Sequence, residues 1–375
     1  MLDGAQRFLL DLAQGLLAHK WEVVGITGAD GPLSAGFTAL NIPVHLLQLR
    51  PETCGDQLPS WWNACWLLVL PLASWLRRQQ VDVLYANSPT TALLGGWAAR
   101  LAGTRVIWRV HLAEELAHSR LYSSWCAHLA TRIHAASDSV QHSLPRAAQR
   151  YARTRLLPPA INIERFSAMA PAPRKGRELP LLGMVGCWRP SCGQEVLMRA
   201  VRLLQEGGRR ARVCLVGKTQ TAEEERYRAV VLSAVKAAGL SERIKVRETV
   251  DDWPAFIASC DIIVIPTLRE TTGRLALEAA VLGRPVIASR VDNLNGILED
   301  GHTGLLVPPN HPQALADALA LLLASPALRL QMGRQARVRC EEHFRLDAIL
   351  TAIESLFPGP EDKKVTWLNP PQWRL

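Results

Sequence analysis

The sequence predicts an α/β protein of two parallel-sheet domains, on three observations. The chain has 375 residues, more than one ordinary core uses and enough for two domains of roughly 150 to 190 residues. Apolar runs bounded by turn residues alternate with helical patterns, the sequence form of βαβ units. Midway, Ala168 to Pro180 breaks the alternation with prolines, Arg174, Lys175 and Gly176, a composition suited to an exposed linker.

The first domain, residues 1–170, opens on a helix. Phe8, Leu9, Leu12 and Leu16 recur at helical spacing directly behind Asp3, Gly4, Ala5 and Gln6. In a parallel α/β domain a glycine-containing turn before a helix normally follows a strand. Here that strand is missing, so the expectation is an N-terminal sheet without its first strand, a gap in its apolar core and poor stability. Strands are expected at Trp21–Thr27, Val44–Leu47, Val81–Ala86, Val106–Val110 and Ile133–Ala136.

Leu58 to Arg78, with Trp61, Trp62, Trp66, Trp75, Arg77 and Arg78, reads as a core helix. An interfacial helix, with Trp among headgroups and Arg on anionic lipid, stays open. In the second domain, residues 178–340, strands are expected at Leu181–Val185, Arg212–Val216, Ile244–Val246, Asp261–Pro266, Pro285–Ser289 and Gly304–Val307. Residues 311–357 read as helices. The tail, 358–375, carries Pro360, Pro370 and Pro371 and reads as irregular.

Composition narrows the function classes. With 48% hydrophobic and 21% charged residues, disorder is set aside. The net charge of +9 suits nucleic acid, an anionic bilayer or small anions. Arginines scattered through helical stretches, with no aromatic-plus-basic strand, argue against nucleic acid. Eight cysteines without a CxxC pair point to a reduced cytosolic protein. Trp62 to Leu76 is too short for a span of about 20 residues and contains Pro71. No basic-then-apolar leader follows Met1. The expected location is cytoplasmic, with peripheral contact on the inner membrane face left open.

The most informative segment is DIIVIPTLRETTGRLALEAAVLGRPVIASRVDNLNGILEDGHTGLLVPP, Asp261 to Pro309. A buried strand ends at Pro266, Glu270 follows in a loop, and a helix carries Glu278. That layout sets a carboxylate and free N–H groups at a helix start beside the C-terminal edge of a parallel strand, where open sheets bind ligands and where a diphosphate is favoured. The segment resembles the Glu, seven residues, Glu signature of retaining GT-B glycosyltransferases of family 4, also called glycosyl transferases group 1. The resemblance implies two facing Rossmann-like domains with an interdomain cleft, and a last helix, 341–357, packing back on the first domain.

It also implies roles. Glu270 with its loop, Thr272, Gly273, Arg274 and Leu275, would hold the donor sugar, and Glu278 the nucleotide ribose. DGAQRFLLDLAQGLLAHKWEV resembles the family's glycine-rich loop and first helix, where Gly4 permits close approach of a sugar. VDVLYANSPTTALLGGWAARLAGTRVIWRVH resembles the stretch ending in the family's active-site histidine, so His111 would contact the transferred sugar. Ser137 and LLPPAINIERF match the end of that domain, although Pro159-Ala160 stands where the family has Asn-Gly.

The family's diphosphate loop departs further. In LLGMVGCWRPSCGQEVLMRA, after Gly186, Cys187 stands for the usual Arg and Cys192 for the usual Lys. Each lost cation forgoes a charge-assisted hydrogen bond of about 1.5 to 3 kcal/mol. Arg189, Lys218 and Arg274 are the candidate replacements. The Gly-Lys-Thr at Gly217 is no phosphate-cradling loop, because Arg212 occupies the place of its first glycine. Val291-Asp292-Asn293 and Asn295-Gly296 replace paired glycines and Pro-Glu. The reaction so implied is retaining transfer of a hexosyl group from a UDP- or GDP-linked donor to a glycan or lipid-linked acceptor in cell-envelope polysaccharide or lipopolysaccharide synthesis. No metal or other cofactor is expected. A catalytically impaired sugar- or nucleotide-binding protein is the alternative.

Overall fold

The computed structural model describes residues 4–47, 58–117, 120–146, 148, 154–166, 179–219, 221–250, 252–269, 271–355 and 364–369. Two compact units result, one of residues 159–345 and one of residues 2–158 with 346–375. The chain passes between them at 158/159 and 345/346, outside the linker expected at Ala168–Pro180, of which 168–178 lies beyond the described residues.

In the N-terminal unit the strands are β1 (Glu22–Thr27), β2 (Val44–Leu46), β3 (Val83–Ala86), β4 (Arg105–Val110), β5 (Arg132–Ala135) and β6 (Thr154–Leu156). Helix Gly4–Ala18 buries Phe8, Leu9, Leu12 and Leu16, each worth about 1.5–3 kcal/mol of transfer free energy. Helix Asp347–Glu354 returns to the same unit. An added Cβ at Gly15 would meet Leu350 Cδ1 at 3.0 Å, and the Glu354 carboxylate accepts from Trp21 Nε1 at 3.3 Å and bonds His19 Nδ1 at 2.9 Å. Helix Leu58–Arg78 contains Pro71 and buries Val69, Leu72, Ala73 and Leu76, so its second half is core.

In the C-terminal unit the strands are β7 (Leu181–Val185), β8 (Arg212–Val216), β9 (Ile244–Arg247), β10 (Ile262–Ile265), β11 (Val286–Ser289) and β12 (Leu305–Val307). They form a parallel sheet in the order β12-β11-β10-β7-β8-β9. Numbered along the chain, this is the 3-2-1-4-5-6 order of doubly wound sheets, which reverses between β7 and β10 and opens a crevice at their C-terminal ends. Helix Gln194–Glu206 shows how a face is chosen. Val196, Leu197, Ala200, Val201 and Leu204 go inward, while Glu195–Arg199 and Arg202–Glu206 pair at solvent.

Two expectations are corrected by one element. Residues Lys364–Asn369 form β13, which lies inside the N-terminal sheet in the order β2-β1-β13-β3-β4-β5-β6. The tail is therefore not irregular throughout, and the place of the missing first strand is filled. The reason is local: Val365, Thr366, Trp367 and Leu368 favour extended backbone, and Pro358, Pro360, Pro370 and Pro371 bracket this run without interrupting it. Among the described residues no single helix is long and apolar enough to cross a membrane.

Candidate active site

Three loops meet at the strand-order reversal of the C-terminal unit. The loop after β7 holds Gly186, Cys187, Trp188 and Arg189. Trp188 is buried, and its Nε1 donates to the Gly217 carbonyl after β8 at 2.8 Å. Gln194 Nε2 donates to the Cys187 carbonyl at 2.6 Å. From the loop after β10, Thr267 Oγ1 donates to the Ser191 carbonyl at 3.1 Å and Leu268 N to the same oxygen at 2.8 Å. Gly193 makes this approach feasible. Its φ is +82°, and a Cβ there would sit 1.9 Å from the Pro266 carbonyl oxygen.

The loop after β10 leads into helix Arg274–Val281, whose N-cap is Gly273 at φ +69°. A side chain there would strike Ile297 Cδ1 at 2.2 Å. Asn293 Nδ2 donates to the Thr271 carbonyl at 2.8 Å, so one of the departures from the family pattern anchors the loop. Thr272 and Leu275 are half-buried beside Gly273. Glu270 lies outside the described residues. A cavity of about 170 Å³ lined by Leu181, Arg212, Arg243 and Phe256 is at the opposite, N-terminal ends of β7 and β8.

Glu278 is 1% exposed and Arg274 4%. Arg274 Nε donates to Glu278 Oε1 at 2.9 Å, and Trp253 Nε1 donates to Oε2 at 2.7 Å. Arg274 also reaches the Ala160 carbonyl at 3.3 Å. The carboxylate proposed by sequence for the ribose is thus held by an ion pair and an indole, and Arg274 is committed to it. Removing water from both charges makes either one costly to leave alone.

The other candidate cations divide. Arg189 Nε donates to Glu224 Oε1 at 2.7 Å, with Glu224 buried beneath it. Lys218 is exposed and makes no ion pair among the described residues. Cys187 is exposed, and its thiol is drawn down to about 6 by a hydrogen bond with Cys192 and by the Arg189 charge, against the effect of burial. Where the family pattern has two cations, this loop has two hydrogen-bonded thiols.

In the N-terminal unit, His111 follows β4 and Asn87 follows β3. His111 Nε2 donates to Asn87 Oδ1 at 2.8 Å, while Asn87 Nδ2 donates to the Ala5 carbonyl at 3.3 Å. One amide thereby ties the histidine to the first turn of the helix that starts at Gly4. Phe8 meets the imidazole edge-on at 5.9 Å, and the Arg109 guanidinium lies over the Phe8 ring at 5.1 Å. Burial, assisted by Arg109, holds the His111 pKa down to about 3, so the ring is neutral. Ser137 caps helix Asp138–Ser143, accepting from Val140 N at 3.2 Å.

Asn87, Trp253 and Glu224 went unforeseen because their partners lie 24, 25 and 35 residues away along the chain. A polar residue directly after a strand was the only signal for Asn87. Among the described residues no group of three or more His, Cys, Asp or Glu side chains is placed to hold a metal ion.

Two doubly wound parallel sheets, each with polar groups gathered at the C-terminal ends of its strands, define an α/β protein of the GT-B kind. Residues 179–325 match the family described as glycosyl transferases group 1, and residues 2–165 match glycosyltransferase family 4. The phosphatidyl-myo-inositol mannosyltransferase of Mycobacterium leprae is 30% identical over 266 residues, 68% of this chain and 67% of that protein. The chain therefore belongs to this glycosyltransferase family.

The D-inositol 3-phosphate glycosyltransferase of Corynebacterium efficiens is 33% identical over 183 residues, 47% of this chain, and the match spans 42% of that relative's length. Among solved structures, Anabaena HepE in complex with UDP and glucose has a TM-score of 0.77 at 20% identity, covering 94% of this chain and 95% of that one. Sucrose-phosphate synthase from Thermosynechococcus elongatus has a TM-score of 0.72 at 22% identity, covering 92% and 90%. These likenesses show a shared fold.

Proposed function

We propose that the chain transfers a hexosyl group from a UDP- or GDP-linked donor to the hydroxyl of a glycan or lipid-linked acceptor, with retained configuration, in the synthesis of envelope polysaccharide or lipopolysaccharide. The observation that carries this is the meeting of the loops after β7, β8 and β10 at the strand-order reversal, directly before the helix that begins at Gly273. The bond from the sugar to the diphosphate breaks, and one to the acceptor oxygen forms as that hydroxyl passes its proton to the departing diphosphate oxygen. Charge grows on the leaving diphosphate, and the helix N–H groups with Lys218 stabilise it. Glu270 positions the sugar and Glu278 the ribose. His111, neutral and fixed by Asn87, contacts a sugar. A lipid-linked acceptor is supported by the name of the Mycobacterium leprae relative, and would have the protein working at the inner membrane face.

One observation favours the second reading, an impaired sugar- or nucleotide-binding protein: Arg189 and Arg274 are both engaged by buried carboxylates while Cys187 and Cys192 replace cations. Calorimetric titration with UDP, GDP and their hexose derivatives, repeated on Glu278→Gln, separates the two. Binding of one donor that weakens in the variant, together with release of its nucleotide on adding acceptor, supports transfer. Binding without release supports the second reading, and no binding sinks both.

A further inference from the structure

The cavity of about 170 Å³ at the N-terminal ends of β7 and β8 is lined by four cations, Arg212, Arg243, Lys245 and Arg247, against one carboxylate, Glu242. Strand periodicity brings them together. β9 is an edge strand of its sheet, and Ile244 and Val246 turn one of its faces into the core with Val213 and Leu215. Lys245 and Arg247 therefore stand on the other face, in register with Cys214 and Val216 of β8. Arg212, two residues before Cys214, shares that face, and Phe256 from helix Trp253–Ser259 walls it on one side.

Several other cations of the C-terminal unit have a carboxylate to meet. Arg199 pairs with Glu195, Arg202 with Glu206, Arg290 with Asp300 and Arg337 with Glu341. Among the described residues the four cations of the cavity make no ion pair, and Arg243 Nη1 donates to Gln205 Oε1 at 3.1 Å. Arg212 is half-buried, and its Nε is buried with no hydrogen-bond partner. A desolvated guanidinium N–H without an acceptor is unfavourable, and an anion in the cavity supplies one. Pockets for drug-sized ligands start at roughly 300 Å³, so the occupant of this one is small.

We propose that this cavity binds a small organic phosphate, with the phosphate on Arg212, Lys245 and Arg247 and the carbon body against Phe256 and Leu181. Guanidinium forks match phosphate oxygens two at a time, and the lysine adds a point charge. Four cations less one carboxylate leave three positive charges at the cavity, which a phosphate of about two negative charges offsets better than a carboxylate does. The cavity lies at the opposite ends of β7 and β8 from the loops that hold Gly186 and Gly217. The site is thus distinct from the candidate donor site and stands whichever reading of the activity is right.

Calorimetric titration of the full chain with glucose 6-phosphate, at low salt and without a nucleotide donor, tests it. Binding is expected, and Arg212→Gln and Lys245→Gln should each weaken it about tenfold, the loss of one charge-assisted hydrogen bond. Lys218→Ala, at the candidate donor site, should leave it within about twofold. Lys245 is exposed on an edge strand, so Lys245→Gln is expected to keep the melting temperature of the parent and carries the test should Arg212→Gln fold poorly. No binding of glucose 6-phosphate overturns the proposal, as does binding lost in Lys218→Ala and kept in the other two. Sedimentation with phosphatidylglycerol vesicles that depends on Arg212 and Lys245, without uptake of glucose 6-phosphate, would also overturn it in favour of a membrane contact.

Discussion

The N-terminal sheet repeats the strand order of the C-terminal one, with one further edge strand, by a different route. In the C-terminal unit all six strands come from one continuous segment, whereas the N-terminal unit seats between β1 and β3 a strand from residues 364–369, far along the chain. A place in a parallel sheet is thus set by its two neighbours and the crossover helix, and proximity in sequence is dispensable. The units differ in their polar groups as well. The C-terminal unit buries the Arg274–Glu278 ion pair and the Glu224 carboxylate, which the exposed Arg189 meets from outside. Around His111 the N-terminal unit buries neutral imidazoles and amides, with Arg109 as the enclosed cation.

Acid separates the two most sharply. His111 and His134 both titrate at about 3 in the folded protein, lowered first by burial and then by Arg109, against about 6.5 unfolded. Their neutral forms support the fold fully above pH 6.5, and that support is lost as pH falls from 6.5 toward 3, at about 1.4 kcal/mol per pH unit for each histidine. The N-terminal unit should open first on acidification. Pulsed exchange at pH 4.5, read on β5 and β10 separately, checks the order, and earlier opening of β10 would break the contrast.

Next comes the buried pair. Glu278→Ala leaves Arg274 charged and unpartnered by its carboxylate, and should cost about 3–5 kcal/mol in urea unfolding of the C-terminal unit. Glu278→Gln keeps an acceptor for Trp253 and should cost less. Equal costs would mean that shape, and not charge, matters there. Gly193→Ala forces a Cβ against the Pro266 carbonyl in left-handed backbone and should cost about 1–3 kcal/mol, with loss of donor affinity.

Smallest is the thiol effect. Above pH 6 the Cys187 thiolate opposes an anionic donor, so donor affinity should fall a few-fold from pH 5 to pH 7, and Cys187→Ser should flatten that profile. Cys187→Arg should raise affinity about tenfold, equivalent to about 1.4 kcal/mol. A flat wild-type profile would exclude thiolate control of the site.

The sequence was most legible where local chemistry decides structure. Runs such as Ile262–Ile265 and Leu181–Val185 are apolar because both faces are covered, and Gly273 marks a helix start by its backbone alone. Thr154–Leu156 is short and largely exposed, so nothing in it announces a strand. β13 was hidden by prolines that bound it. Within the candidate site, Glu278 and His111 stood out by position, but what holds them did not, since Trp253 and Asn87 reach them from other elements.

Synthesis on the ribosome proceeds from the N-terminus at about 5–20 residues per second, and it meets this architecture out of step. Residues 159–345 emerge complete with every strand of their own sheet before residues 364–369 are made. The N-terminal sheet therefore closes after the C-terminal one: β1 and β3 leave the exit tunnel well ahead of residues 364–369 and pair with them only once those residues follow.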